Sequence, residues 1–360
     1  MAIIPAVRVH TPVSGHLDRA YASSLMKSSS LPRVAVVGCG YWGRNLVRNF
    51  HALGALRAVA DSTPAGRHQA AQLAPDIEPA ADIASVIARH DIDAVVLATP
   101  ASTHCELGMQ VLAAGKDLFV EKPMALSLDD ARRLADLAAH NQRILQVGHV
   151  LEYHPATTAL RRWIEDGRLG RLCLLHSRRL NFGRVRTEED ALWNVAPHDF
   201  ALMLRVTGRL PGEVSCFASY SLGTPRADFA IAMLRFAGGV DAHVLAGWLH
   251  PTKEQRLVVV GDRGVAVFDD ALPLEQKLTF YDQRVDLSSG VPQMFKGPVH
   301  TEKLPPEEPL RLECAAFLES VAQRRRPLAD AQSGLRVMAV LEACRRSMES
   351  GGQIQAVPVI

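Results

Sequence analysis

Between positions 32 and 150, short apolar runs alternate with longer stretches whose apolar residues recur every three to four positions. The runs at 33–37, 56–60, 93–98, 117–120 and 143–147 predict strands, and the stretches at 41–53, 64–74, 81–90, 103–114 and 127–140 predict helices. Strict alternation of this kind needs crossover helices, so the strands pair in parallel as a doubly wound α/β sheet. After a further helix at 153–166, strand-like runs dominate at 171–181, 213–221, 228–236, 240–249, 255–260 and 264–268. Glycine turns at 237–239 and 261–264 separate some of them, which predicts hairpins and an antiparallel sheet. One helix at 197–207 interrupts this set, and two more, at 307–324 and 331–349, close the chain. The expected division is a loosely ordered extension at 1–31, a dinucleotide-binding domain at 32–150 and a substrate-binding and oligomerisation domain at 151–360.

Composition narrows the class without naming a chemistry. A chain of 360 residues exceeds what one core usually supports, which agrees with two domains. With 48% hydrophobic and 22% charged residues and a net charge of +2, it has no basic field for nucleic acid. No apolar run reaches the roughly 18–20 residues of a membrane span. Six cysteines lie far apart with no C-x-x-C spacing, so the expectation is reduced thiols in the cytoplasm and no metal site.

The first chemical signal is Val34 to Gly43 (VAVVGCGYWG), an apolar run that turns into G-x-G-x-x-G and leads into a helical stretch. Gly38 permits the tight turn, Gly40 lets backbone approach a pyrophosphate, and Gly43 lets helix pack on strand. Cys39, Tyr41 and Trp42 fill the loop between them, and the helix presents its free N–H groups and positive dipole end to the phosphates. An acid about twenty residues on, at the end of the next strand, completes a dinucleotide site by accepting from the adenosine ribose. Asp61 supplies it, and the residues just after it, Ser62, Thr63 and Pro64, offer no arginine for a 2'-phosphate. The expected cofactor is NAD.

Three further places carry chemistry. Thr99, Pro100, Thr103 and His104 follow the strand at 93–98, at a carboxyl end where open α/β sheets bind ligands; Thr103 serves either the cofactor or the cap of the next helix. Glu121 and Lys122, with Pro123 behind them, leave the strand at 117–120. An ammonium there can stabilise the alkoxide that develops as hydride leaves carbon, the alternative being an exposed lysine at a strand end. Trp193, Asn194 and His198 surround the start of the helix at 197–207, where the dipole keeps an imidazole neutral and able to act as a base. Asp199 is a helix-start carboxylate.

These segments together, G-C-G-Y-W-G, A-T-P-x-x-T-H, E-K-P and a late histidine opening a helix, resemble the Gfo/Idh/MocA family of sugar and cyclitol oxidoreductases over about residues 32–357. The resemblance implies a Rossmann domain followed by an α/β domain with a large open, mainly antiparallel sheet. It also implies that Lys122 assists hydride transfer and that His198 acts as general acid or base. Asn194 stands where many members carry Asp. Within the family, Gly40 to Arg48 (GYWGRNLVR), Leu192 to Asp199 (LWNVAPHD) and Trp248 to Lys253 (WLHPTK) resemble the branch that oxidises the 3-hydroxyl of UDP-N-acetylglucosamine ahead of transamination. That points to a nucleotide-sugar substrate lined by Lys122, Tyr153, Arg179, Asn181, Arg186, Trp193, Asn194 and His198, the alternatives being another UDP-sugar, a free sugar or an inositol, or a non-catalytic NAD-binding regulator. Arg178, Arg179, Arg184 and Arg186 are either its diphosphate contacts or ordinary solvated charges. The wide C-terminal sheet, with one face free for a partner subunit, predicts a homo-oligomer.

Overall fold

A computed structural model describes residues 31–360, and the expected extension at 1–31 lies almost wholly outside them. The first sheet has five parallel strands in the order β2-β1-β3-β4-β5: β1 (Val34–Val37), β2 (Leu56–Ala60), β3 (Ala94–Leu97), β4 (Asp117–Glu121) and β5 (Leu145–Gly148). All but Arg57 of β2 are buried in these strands, as expected of a sheet covered on both faces. The crossovers are α1 (Gly43–Ala52), α2 (Pro64–Leu73), α3 (Ile83–Ile87), α4 (His104–Ala113) and α5 (Leu128–His140). Thr63, Asp82 and Ser127 cap α2, α3 and α5 through side-chain oxygens.

A helix α6 (Pro155–Glu165) leads into the second sheet, whose nine strands run β13-β12-β11-β10-β6-β9-β8-β7-β14. They are β6 (Leu172–Phe182), β7 (Pro211–Ser219), β8 (Phe229–Phe236), β9 (Val240–Gly247), β10 (Leu249–Gly261), β11 (Val265–Asp269), β12 (Leu278–Asp286), β13 (Gln293–Thr301) and β14 (Gln355–Ala356). Every pairing is antiparallel except β6 with β9. Three strands, β12, β13 and β14, go beyond the apolar pattern. β13 is exposed on both faces along nearly its whole length, and a strand with no buried side shows no period-two signal. The helix expected at 81–90 shrinks to the five residues of α3.

Between β6 and β7 lie a short α7 (Ala191–Val195) and α8 (Pro197–Thr207), the latter closed by Gly208 in the left-handed conformation. The last two helices knit the sheets together. α9 (Pro309–Gln323) lays Phe317 edge-on against Phe50 of α1 and Phe119 of β4, with ring centroids 6.4 and 5.5 Å apart. α10 (Ala331–Glu349) packs against α5 and β5 on one side and α8 and β7 on the other. Among the described residues, no helix is long and apolar enough to cross a membrane.

Phe317 is fully buried at the centre of this contact. Truncating it, Phe317→Ala, should cost about 3–5 kcal/mol of stability through lost burial and the cavity left behind. Urea unfolding followed by circular dichroism should show a clearly lower midpoint, and an unchanged midpoint would mean that α9 is not a structural part of the first sheet's core.

Candidate active site

The in-step pairing of the parallel strands sets out the site. Val37 of β1 lies opposite Leu97 of β3, Leu97 opposite Val120 of β4, and Glu121 opposite Gly148 of β5. The residues that leave these ends, Gly38, Thr99, Lys122 and His149, therefore emerge side by side along one rim.

At the first end, Gly38 adopts a φ of 92°, and a Cβ on it would lie 2.6 Å from the Ala98 carbonyl oxygen. A Cβ on Gly43 would sit 2.0 Å from the Gly38 oxygen, so this glycine is set by strand–helix packing. Gly40 is different, since a Cβ there would meet no protein atom within 4 Å. Nothing in the protein requires glycine at that position, which is what a loop shaped for a ligand's pyrophosphate looks like. Asp61 closes the loop: it accepts from the Cys39 N–H at 2.7 Å and from the Thr63 N–H and hydroxyl at 2.8 and 2.7 Å. Burial raises its pKa, but those hydrogen bonds outweigh it and hold the carboxyl below its ordinary value. Burial and the same carboxylate push the Cys39 thiol up to about 11, so it stays a neutral packing group. One arginine escaped the sequence reading. Arg67, on the first turns of α2, donates to the carbonyls of Asp61 and Ser62 at 2.8 and 3.0 Å, and its charge lowers the pKa of the Asp61 carboxyl.

The next two ends are tied to each other. Thr99 and Thr103 share a hydroxyl hydrogen bond of 2.7 Å, and Thr103 also donates to the Pro100 carbonyl. Thr103 caps nothing. His104 is buried, with Nδ1 2.8 Å from the Pro123 carbonyl and Nε2 3.0 Å from that of Thr99, so its ring bridges the two strand-end loops. Trp42 reaches across from the glycine loop and donates its indole N–H to Glu121 at 2.5 Å. Burial pushes the Glu121 carboxyl up, against the indole and the Lys122 charge.

Lys122 is partly buried and donates through Nζ to the Asn194 main-chain carbonyl at 2.7 Å, which joins the rim of the first sheet to α7. Desolvation lowers its pKa; the carboxylates of Glu189 and Glu121 resist, and Arg186 and Arg179 add to the fall. His198, on the first turn of α8, is held well below the ordinary histidine value by burial, then by the charges of Lys122 and Arg179. Its imidazole is therefore neutral and free to take a proton, and it lies four residues after Asn194, which holds Lys122. A third group was not foreseen. His149, immediately after β5, is buried and pushed down to about 3 by desolvation and Lys122, and neither ring nitrogen has a partner among the described residues. Its position, one residue past a strand end as Lys122 is, was the signal that could have found it.

Around these, the candidate substrate residues divide. Asn194 is fixed at both ends of its amide, accepting from Trp248 Nε1 and donating to Glu189, each at 3.3 Å. Trp193 is buried with its indole N–H unpaired, as are Arg186 Nε and His198 Nδ1. Buried polar atoms left without a protein partner are groups that water or a bound molecule can still satisfy. Arg179 and Asn181 lie on the helix-covered face of β6, but Arg179 is held by Asp199 in a buried ion pair of 2.6 Å, with Ser177 also on that carboxylate. Asp199 is thus the anchor of Arg179, more than a helix-start charge. Tyr153 accepts from the Ala329 N–H at 3.2 Å, between β5 and α10. Arg178 falls on the opposite face of β6, 3.5 Å from Glu254, so strand alternation takes it away from the site.

Comparison with known proteins agrees with this geometry. Residues 32–149 match the model of an oxidoreductase family with an NAD-binding Rossmann fold, and residues 157–267 match the C-terminal domain of the same family. UDP-N-acetylglucosamine 3-dehydrogenase of Acidithiobacillus ferrooxidans is 26% identical over 319 residues, covering 88% of this chain and 97% of its own. A solved structure of that enzyme superposes with a TM-score of 0.76 at 25% identity, over 88% of this chain and 97% of the other. Inositol 2-dehydrogenase of Burkholderia multivorans is 27% identical over 333 residues, 89% of this chain and 94% of its own. The chain belongs to the Gfo/Idh/MocA family of NAD-binding oxidoreductases.

Proposed function

We propose that this protein oxidises a hydroxyl of a nucleotide sugar to a ketone, with the 3-hydroxyl of UDP-N-acetylglucosamine as the foremost candidate and transamination to a 3-amino sugar as the next step. The observation that carries the reading is the Lys122 ammonium at the rim that begins with the glycine loop, bonded to the Asn194 carbonyl four residues before His198, whose imidazole burial and the Lys122 charge keep neutral. The similarity to UDP-N-acetylglucosamine 3-dehydrogenase along nearly the whole chain supports the substrate class.

The residues suited to hold NAD are the loop from Gly38 to Gly43, with Asp61 on the ribose and Thr99, Pro100, Thr103, His104 and Glu121 along the rim. When bound, NAD supplies the hydride acceptor. His198 takes the proton from the substrate hydroxyl. Lys122 donates to the same oxygen and stabilises the negative charge that grows on it, leaving two of its three protons free after the bond to Asn194. His149 presents a second neutral imidazole to this cluster. Arg186, whose Nε is unpaired, is the available cation for a diphosphate, whereas Arg179 acts through its buried pair with Asp199. The open face of the second sheet, with Phe217 and Met233 exposed on β7 and β8, is the surface through which the subunits would assemble.

An absorbance assay at the reduced-nicotinamide band with NAD and a panel of UDP-sugars, free sugars and inositols tests the reading. Reduction with UDP-N-acetylglucosamine is the expected result; reduction with an inositol alone would overturn the nucleotide-sugar assignment. In that assay Lys122→Ala should lower turnover by about 100-fold or more, the size of one lost electrostatic donor, with NAD binding by calorimetry nearly intact. Lost NAD binding with normal turnover would refute the role of Lys122. Asp61→Ala should weaken NAD and admit NADP, because Arg67 already stands beside the position that the carboxylate vacates. Unaltered preference for NAD in that variant would show that the discrimination lies elsewhere.

A further inference from the structure

Three consecutive acids precede α7, and each has a separate partner. Glu188 accepts from the Ser102 hydroxyl at 3.0 Å, Glu189 accepts from the Asn194 side chain at 3.3 Å, and Asp190 caps α7 through the Trp193 N–H at 2.9 Å. Only the middle one bears on Lys122. The carbonyl that holds the Lys122 ammonium belongs to Asn194, and the side chain of that same residue is pinned between Trp248 and Glu189. A carbonyl is neutral and compensates no charge. The charges acting on Lys122 are Glu189 and Glu121, which hold its proton, and Arg186 and Arg179, which oppose them, while burial keeps His149 and His198 neutral.

We propose that Glu189 is a positioning residue of the site: it clamps the Asn194 amide so that the Asn194 carbonyl holds Lys122, and its carboxylate balances the Lys122 ammonium. The inference rests on the role given to Lys122 in the dehydrogenase reading. It explains why residue 194 is an amide. The Nδ2 of Asn194 donates to Glu189, whereas an aspartate of the same shape would set a second carboxylate against it and lose that hydrogen bond. Of the carboxylates near Lys122, Glu189 does most to keep its pKa up, since Glu121 is itself pushed toward the neutral acid by burial.

The sign of the effect follows. Removing the Glu189 charge lowers the Lys122 pKa further, so the ammonium is lost at a lower pH and any limb of the rate profile that needs it moves toward acid. The direct readout is the titration of Lys122 itself, by competitive acylation with acetic anhydride across pH and mass spectrometry of the peptide that carries it. Wild type, Glu189→Gln, Asn194→Asp and the double variant are compared in the full-length protein without substrate. Glu189→Gln should lower the midpoint by roughly one unit or more, Asn194→Asp should raise it, and the double variant, which moves the carboxylate from 189 to 194, should return toward wild type. The alkaline limb of kcat against pH should follow in the same order. Coincident midpoints in wild type and Glu189→Gln would overturn the proposal, as would a double variant no closer to wild type than Glu189→Gln. Because the labelling needs no sugar, the expected midpoints together with an inert substrate panel would sink the functional reading and leave Glu189 in place.

Discussion

Parallel pairing in step is the constraint from which the site follows. Strands β1, β3, β4 and β5 end within one residue of each other on the rim, so whatever leaves them is brought together whatever the intervening helices do. Glycine, threonine, lysine and histidine thereby meet although 111 positions separate Gly38 from His149. The rim is then locked by contacts between loops. Trp42 holds Glu121, His104 joins Thr99 to Pro123, and Cys39 is bonded to Asp61. Few of these side chains are left free to relax, which is what preorganised electrostatics requires.

The second sheet contributes by a single excursion. Between β6 and β7 the chain leaves the sheet, forms α7 and α8, and delivers Asn194 and His198 to the rim of the first sheet. The start of α8 is kept in place from below by Asp199, whose carboxylate is gripped by Arg179 and Ser177 of β6. Such a buried pair is a poor source of net stability, because desolvating both ions cancels much of their attraction. Its value lies in orientation: breaking it would leave a charge stranded under His198.

Much of this was legible in the chain. The apolar runs and the helical stretches between them identified the five parallel strands, and strand ends picked out Thr99, Lys122 and the glycine loop, because buried strands and tight turns leave strong local signals. Strands with little buried surface do not. β13 was missed because its residues face solvent on both sides, β12 because only its first half buries side chains, and β14 because two residues carry no periodicity. Arg178 and Arg179 looked equivalent in sequence, and only the pleat separates them, one to the open face and one to the ion pair beneath α8. His149 and Glu189 were overlooked for a different reason. Their importance lies in what they face, and a lone histidine or one acid in a run of three says nothing of that until the fold is built.

Lys122 and His198 illustrate why a shared buried environment must be compensated unequally. Burial alone drives both toward neutrality, which suits the base proposed for His198 but defeats the cationic stabiliser proposed for Lys122. Neutrality is left unopposed at His198, where Lys122 and Arg179 reinforce it. At Lys122 the opposite is needed, and the carboxylates of Glu189 and Glu121 resist the loss of charge while the Asn194 carbonyl accepts one of its protons. Had the acids sat beside His198 instead, the imidazole would hold a proton more tightly and Lys122 would give one up more readily. The proposed division of labour is therefore set less by the two side chains than by where the fold places a few negative charges around them.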